Sequence, residues 1–160
     1  MITNFISPVI FFILLTTMFL IVPYEQIKKF LSLGLIGGLV VAFILIYFMQ
    51  NFFGFWDFFN LDIWYFLEMP VFLSAVWIPV VIIFAHFLEI AEYLTTAVFI
   101  ILLFPAGATL VHYFLINLDL LVYSKWNLFY TFLVSMGIHL GITYYLYIRN
   151  QLGVKIGLLQ

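Results

Sequence analysis

Five long apolar stretches interrupt the few polar and charged residues of this chain, and they restrict the folds that it can adopt. The stretches cover approximately residues 5–22, 30–49, 64–87, 94–116 and 126–148. A helix needs roughly 20 mostly apolar residues to cross a hydrocarbon core of ~30 Å. Only 8% of the 160 residues are charged, against about 25% in a soluble domain. The pattern predicts an all-α bundle of five transmembrane helices, forming a single domain over residues 1–160.

The composition also excludes several classes of function. Five Lys and Arg residues cannot form the basic surface that a nucleic-acid-binding protein needs. The chain has no cysteine, which excludes disulfides, thiolate catalysis and iron–sulfur clusters. It contains no phosphate-binding glycine loop and no HExxH motif. We therefore expect no nucleic-acid partner, no cofactor, no bound metal and no residue that a motif assigns to catalysis.

The basic residues indicate how the helices are oriented. Lys28 and Lys29 lie between the first two stretches, Arg149 and Lys155 follow the fifth, and Lys125 stands alone between the fourth and the fifth. Cytoplasmic loops carry an excess of Lys and Arg, so the side that carries most of these cations is predicted to be cytoplasmic. The N-terminus is then outside and the C-terminus is in the cytoplasm. We expect a multi-pass protein of the plasma membrane.

Aromatic residues dominate the two connections that this orientation places outside. Trp56 and Trp64 lie between the second and the third stretch, and Trp126 opens the fifth. An indole ring prefers the headgroup level, where its N–H stays hydrated while the ring contacts acyl chains. These three residues are therefore predicted to be interfacial anchors.

Small residues in the second stretch predict close helix packing. Gly34, Gly38 and Ala42 recur at intervals of four, a spacing that lets two helix backbones approach closely in lipid. The neighbouring helix belongs either to the same chain or to another copy. Stretches two and three also resemble stretches four and five in their early glycines, in an Asn at the outer end and in a Trp before the return helix. This similarity predicts a duplicated helical hairpin.

The fifth stretch carries nearly all of its polar side chains in one row. They recur at every fourth position: Asn127, Thr131, Ser135, His139, Thr143, Tyr147 and Gln151. Such a row lies on one face of a helix, and exposing hydroxyl, amide and imidazole groups to hydrocarbon is costly. The row is therefore predicted to face the interior of the bundle, where it serves interhelical hydrogen bonding or a path for a ligand or a proton.

Glu68 and His112 are predicted to form a pair inside the membrane. Glu68 lies near the start of the third stretch and His112 near the end of the fourth, at a comparable depth from the outer surface. An ionisable side chain inside a membrane is a functional-site hypothesis by default. His139 is expected nearer the midplane and His86 near the cytoplasmic surface. Because the three histidines differ in depth, they argue against a shared metal ion or a haem.

Several segments carry a resemblance to a known family. They are residues 37–56, residues 112–126, the run from Trp126 to Thr131, the group Trp56-Asp57-Phe58, and Pro79. In these segments the chain resembles an uncharacterised family of small five-span integral membrane proteins of bacilli and clostridia. It departs from the family pattern at His112, where an acidic residue is expected, and at Ile138. The resemblance implies a bacterial plasma membrane and assigns no activity.

Three hypotheses of function follow. The first is a non-enzymatic membrane module that binds lipid, an apolar ligand or a partner membrane subunit, with homo-oligomers possible. The second is a small transporter or proton-linked carrier in which Glu68 and His112 form an outer gate and His139 lies near the midplane. The third is an intramembrane enzyme that acts on a lipid or an isoprenoid with Glu68 as general acid. The sequence favours the first, because five short spans leave little room for the cavity of a carrier, and no second carboxyl lies at the depth of Glu68 for catalysis.

Overall fold

Helices make up most of this protein. The computed structural model describes residues 3–154, and 74% of the structure is helical. After a 3-10 turn at Thr3–Phe5, the described part contains five helices: α1 at Ile6–Ile21, α2 at Tyr24–Phe52, α3 at Val71–Ile90, α4 at Leu94–Asn117 and α5 at Leu128–Ile148. Helices α2 to α5 are each long and apolar enough to cross a membrane, whereas α1 is a shorter apolar helix of 16 residues.

Two predicted boundaries change. The third stretch is predicted to be helical from residue 64, but α3 begins only at Val71, because the residues before it form a tight turn. The second stretch is predicted from residue 30, but α2 already begins at Tyr24. Its first turns are amphipathic rather than apolar, with Ile27 and Phe30 buried and Lys28 exposed, so an apolar run does not mark them.

Four short strands connect the helices at one end of the bundle. They are β1 at Trp56–Phe58, β2 at Tyr65–Phe66, β3 at Met69–Pro70 and β4 at Leu121–Tyr123. Strand β1 pairs antiparallel with β4, and β2 pairs antiparallel with β3. The all-α prediction misses these two ribbons, because strands of two or three residues are too short to leave a periodic signal.

The pairing of β1 with β4 bears on the predicted duplication. Strand β1 follows α2 and strand β4 follows α4, so the two strands occupy corresponding places in the two hairpins. A two-fold axis along the membrane normal would pair corresponding segments in antiparallel fashion. The pairing fits a duplicated hairpin, which stays a prediction.

The bundle has two distinct ends. At the ribbon end, which holds the four strands, the amide of Ser7 at the start of α1 donates a 2.9 Å hydrogen bond to the carbonyl oxygen of Leu61. At the tail end, the amide of Gly153 after α5 donates a 3.1 Å hydrogen bond to the carbonyl oxygen of Leu88 in α3. The tail end also holds the connection between α1 and α2, where Pro23 keeps the preceding residue extended and so ends α1.

Helix α3 is the centre of the bundle. It packs against each of the four other helices, whereas α1 packs little against α4, and α2 little against α5. Its side chains Ile82, Phe84 and Leu88 are fully buried. The helix is interrupted at Val76. Pro79 has no N–H to donate to the carbonyl of Ala75, four positions earlier, and its ring clashes with that carbonyl. This break lies in the half of the bundle next to the ribbon end.

Gly34 and Gly38 allow α2 to contact the backbone of α3. A Cβ atom at Gly38 would lie 2.5 Å from the carbonyl oxygen of Trp77, and one at Gly34 would lie 2.8 Å from Cγ1 of Ile82. A larger residue at either position would force the helices apart. Ala42, one turn further along α2, is also buried. The neighbour of this small-residue face is therefore a helix of the same chain.

Most of the described basic residues lie at the tail end. Lys28 and Lys29 are in the first turns of α2, and Arg149 directly follows α5; Lys155 lies outside the described residues. Lys29 forms an ion pair with Glu89 at the end of α3, which joins these two helices at the tail end. Lys125 lies at the ribbon end, between β4 and α5.

Candidate ligand-binding cavity

A cavity of about 420 Å³ lies between the helices and beneath the β1–β4 ribbon. All five helices contribute to its wall, and the residues that α4 supplies are Leu103, Phe104, Gly107, Ala108, Val111 and His112. The break in α3 adds Val76, Trp77 and Val80. The volume falls within the range of about 300–1,000 Å³ that is usual for small-molecule sites.

The cavity reaches the outer surface of the bundle beside α4. Leu103 lines it and yet is 49% exposed. Gly107 also lines it, and a Cβ atom built there would meet no atom within 4 Å. Ile10 and Leu14 of α1 belong to the same wall, and α1 packs little against α4. The gap between these two helices therefore opens the cavity sideways.

Four side chains at the ribbon end form one chain of hydrogen bonds. Nδ1 of His112 lies 2.6 Å from the hydroxyl of Tyr123, and that hydroxyl lies 2.6 Å from Oγ1 of Thr131. Nε1 of Trp126 donates to the same Oγ1 over 3.0 Å. The chain joins α4, β4 and α5, and two of its members, His112 and Thr131, line the cavity.

The hydrogen-bonded series from His112 to Thr131 can hold its protons in two arrangements. Both hydroxyls and the imidazole can donate or accept, and only the indole of Trp126 is restricted to donating. In one arrangement Thr131 donates to Tyr123 and Tyr123 donates to Nδ1 of His112, so that Nε2 of a neutral ring carries its proton. In the other, the two bonds reverse and Nε2 becomes an acceptor. Its proton arrangement determines whether Nε2 of His112 is a donor or an acceptor.

Tyr123 lies in β4, outside the helices, and its phenol stays protonated. Burial raises the pKa of Tyr123 to about 12, and the hydrogen bond with Thr131 opposes part of this increase. A protonated phenol can donate one hydrogen bond and accept another. Tyr123 can therefore relay either proton arrangement between His112 and Thr131.

Trp56 closes the cavity at the ribbon end. Its side chain is only 3% exposed, and its ring makes an edge contact with His112 at a centroid distance of 5.0 Å. Its buried Nε1–H has no hydrogen-bond partner among residues 3–154. The prediction that Trp56 is an interfacial anchor is wrong, because the pairing of β1 with β4 leaves this indole inside the protein. Trp64 is 62% exposed and Trp126 is half-buried, and for these two residues anchoring stays a prediction.

The polar row of α5 faces the interior over its middle turns. Thr131, Ser135 and His139 are all buried, and Ser135 lines the cavity beside Thr131. At its ends the row is exposed. Asn127, at the start of the row, caps α5 because its side chain accepts a 3.0 Å hydrogen bond from the amide of Tyr130. The row therefore supplies the cavity with two hydroxyl groups.

His139 is enclosed by aromatic rings. Its Nδ1 donates a 2.8 Å hydrogen bond to the carbonyl oxygen of Ser135, so the ring is held in one tautomer when neutral. Phe84 contacts the ring edge-on at a centroid distance of 4.8 Å, and Phe104 lies at 5.9 Å. Nε2 is buried and has no partner within the described part of the chain.

Glu68 does not lie on a helix, which corrects its predicted position. It occupies the turn between β2 and β3 with a φ of 64°, and its side chain is exposed. Gln50 donates a 3.1 Å hydrogen bond to its backbone carbonyl oxygen. The carboxyl precedes α3, which begins at Val71, and the polar partner of His112 is Tyr123 instead.

Asp62 is a buried carboxylate that sequence analysis does not single out. It is 2% exposed and accepts hydrogen bonds from the amides of Trp64, Phe72 and Leu73 at 3.1, 2.7 and 3.1 Å. Two of these amides belong to the first turn of α3, where the helix dipole favours a negative charge. The contacts depend on the turn between β2 and β3, which leaves no local signal in the sequence.

Within residues 3–154, no group of three or more His, Asp or Glu side chains is close enough to hold a metal ion. No family model, curated protein or solved structure matches this chain significantly.

Proposed function

We propose that this protein is a five-helix integral membrane protein that binds one apolar chain, from a lipid or a similar molecule, in its central cavity. Four long apolar helices support the membrane location. Helix α1 would be the fifth span: its 16 residues extend about 24 Å, and a short span is accommodated by local thinning of the bilayer. Large apolar side chains on the outer faces, such as Leu20, Ile36 and Phe99, suit contact with acyl chains.

The charge distribution supports an orientation with the ribbon end outside and the tail end in the cytoplasm. Lys28, Lys29 and Arg149 lie at the tail end, and Lys125 lies at the ribbon end. The bias of Lys and Arg toward the cytoplasm then gives this orientation. Glu89 at the tail end is paired with Lys29, so it adds no uncompensated charge there. The family resemblance extends the proposal to a bacterial plasma membrane.

The observation that carries the binding proposal is the size and character of the cavity. A volume of about 420 Å³ with a largely apolar wall gives an apolar chain both the space and the contact surface that it needs. Such a chain would enter through the gap between α1 and α4. The wall suits such a chain, because most of its side chains are aliphatic or aromatic.

The structure favours binding over the two rival functions. The carrier and enzyme hypotheses both use Glu68 on a membrane-spanning helix, and its place in the turn before α3 gives them less support. Apart from the indoles of Trp56 and Trp77, the polar side chains on the described wall are His112, Thr131 and Ser135, which are uncharged when the imidazole is neutral. They suit recognition of a ligand better than translocation of an ion.

The proposal is tested by filling the cavity without disturbing the helix packing. Gly107→Leu places a side chain at the cavity wall, where a Cβ meets no neighbour within 4 Å. Gly137→Leu is the matched control, because its Cβ also meets nothing within 4 Å and Gly137 does not line the cavity. Native mass spectrometry from mild detergent should detect one copurified apolar ligand on the wild type and on the control, and at least fivefold less on Gly107→Leu.

Two results would overturn this proposal. One is equal ligand retention by Gly107→Leu and Gly137→Leu, which would mean that the ligand binds elsewhere. The other is pH-dependent flux through proteoliposomes that His139→Ala abolishes, which would favour a carrier.

A further inference from the structure

We infer that the ligand of this cavity has an uncharged head with a hydroxyl group that bonds to Nε2 of His112. The inference rests on the proposed function, because it names the ligand class for the same cavity. It follows from three features: the absence of charge on the described cavity wall, the accessible and unpaired Nε2 of His112, and the two proton arrangements of the hydrogen-bonded series from His112 to Thr131.

The cavity wall offers nothing to neutralise a charged head. None of the described residues that line it is Lys, Arg, Asp or Glu. A phosphate, carboxylate or ammonium head placed there would lose its hydration without gaining a counter-charge. An uncharged head avoids this cost, so the wall favours a neutral ligand.

Nε2 of His112 is a polar atom that a ligand can reach. Nδ1 of the same ring is bonded to the hydroxyl of Tyr123, whereas Nε2 has no hydrogen-bond partner within residues 3–154. The buried nitrogens of this part of the chain that lack a partner include Nε1 of Trp56 and Nε2 of His139, but Nε2 of His112 is not one of them. It is therefore unpaired and keeps accessible surface, and its side chain lines the cavity.

The other polar groups on the described wall are either engaged or further from the ribbon end. Oγ1 of Thr131 already holds two hydrogen bonds of the series. Ser135 lies about one helical turn beyond Thr131 on α5, and the ring of Trp77 lies 6.1 Å from that of His139, about one turn further. A polar head avoids the middle of a bilayer, so the head belongs at the ribbon end, beside His112.

The two proton arrangements favour a hydroxyl group over a carbonyl. In one arrangement Nε2 of His112 is a donor, and in the other it is an acceptor. A carbonyl oxygen can bond to Nε2 only in the first arrangement, because it has no proton to donate. A hydroxyl group both donates and accepts, so it can bond to Nε2 in either arrangement.

Two kinds of membrane molecule share this chemistry. A monoacylglycerol has hydroxyl groups on a head with one acyl chain, and an isoprenoid alcohol has a hydroxyl at the end of one isoprenoid chain. Both are neutral and both carry a single apolar chain. The experiment therefore includes one probe of each kind.

The full-length protein in detergent is titrated with five probes, and binding is followed by native mass spectrometry. The hydroxyl probes are monooleoylglycerol and geranylgeraniol. Three probes lack a neutral hydroxyl head: methyl oleate has only the ester, lysophosphatidic acid with an oleoyl chain adds a phosphate, and octadecene has no head. We expect one hydroxyl probe to bind about fivefold more tightly than methyl oleate, which is the effect of one hydrogen bond, and about tenfold more tightly than lysophosphatidic acid.

A substitution of His112 tests the contact itself. His112→Phe keeps an aromatic ring but removes both ring nitrogens, so it should weaken the preferred hydroxyl probe about fivefold and leave octadecene unchanged. His86→Phe is the matched control, because this histidine does not line the cavity. It should leave the preference for the hydroxyl probe unchanged.

The outcomes separate this inference from the proposed function. If none of the probes binds, octadecene included, the proposed function is wrong. If octadecene binds but neither hydroxyl probe binds better than methyl oleate and lysophosphatidic acid, the inference alone is wrong. Equal binding of the hydroxyl probe to wild type and to folded His112→Phe also overturns it. Should His112→Phe fail to fold, the preference of the wild type between monooleoylglycerol and methyl oleate, which share the oleoyl ester, decides the question. The tighter hydroxyl probe identifies the source of the hydroxyl group.

Discussion

The amide of Phe72 donates a 2.7 Å hydrogen bond to the carboxylate of Asp62, ten residues earlier in the chain. The same carboxylate also accepts the amides of Trp64 and Leu73, so one buried side chain holds the turn before α3 and the first turn of that helix. We expect Asp62→Ala to reduce the free energy of unfolding by about 2–3 kcal/mol, because it leaves buried amides unpaired. Thermal unfolding in detergent measures the effect.

Asp57→Ala is the control for this prediction. Asp57 lies in β1, and no hydrogen bond within the described residues uses its side chain. Its substitution should change the free energy of unfolding by less than ~0.5 kcal/mol. A loss of stability of the same size in both variants would show that Asp62 has no special role.

The glycines of α2 and α5 should respond in opposite ways to substitution by alanine. Gly38→Ala places a Cβ 2.5 Å from the carbonyl oxygen of Trp77 and should cost about 1–3 kcal/mol, because two helix backbones must separate. Gly141→Ala meets nothing within 4 Å and should gain up to about 1 kcal/mol of helix propensity. Chemical unfolding of both variants measures the difference. A stabilised Gly38→Ala would contradict the close approach of α2 and α3.

Tyr123 should make stability depend on pH in the alkaline range. Its pKa is raised from 10.0 to about 12 by burial, so between these values the unfolded state releases the proton and the folded state keeps it. The contribution of Tyr123 to the free energy of unfolding is therefore fully present below pH 10, and it decreases as the pH rises to 12. Tyr123→Phe should remove this part of the pH dependence, as followed by thermal unfolding across the range. An unchanged slope in the variant would contradict the raised pKa.

The absence of cysteine allows a direct test of the proposed orientation. Ser124→Cys introduces an exposed thiol at the ribbon end, and Glu25→Cys introduces one at the tail end. A membrane-impermeant maleimide added to intact cells should label Ser124→Cys, and it should label Glu25→Cys only after the membrane is opened. The reverse pattern would invert the proposed orientation.

The features that depend on local periodicity could be predicted from the sequence. Apolar stretches of sufficient length mark α2 to α5, and the four-residue spacing of Gly34, Gly38 and Ala42 marks a face that packs against α3. The row through Ser135 and His139 faces inward, as the cost of exposing polar groups to hydrocarbon predicts. Each of these signals depends on residues within one helix.

The features that depend on distant pairing could not be predicted. Trp56 is inside the protein because its strand pairs with the strand of Tyr123, and no spacing rule connects those two segments. Glu68 is outside α3 because the preceding turn ends only at Pro70. The cavity itself arises where α1 and α4 fail to pack closely, and this gap is a property of the whole bundle.

The β1–β4 ribbon has a mechanical consequence for ligand exchange. Its backbone hydrogen bonds link the segment after α2 to the segment after α4, so these two parts cannot separate without breaking a sheet. The short α1 is not joined directly to either strand of this ribbon. It borders the lateral gap through Ile10 and Leu14. Entry of the ligand's apolar chain from the bilayer is therefore expected to tilt α1 about the ribbon end, while the other helices keep their positions.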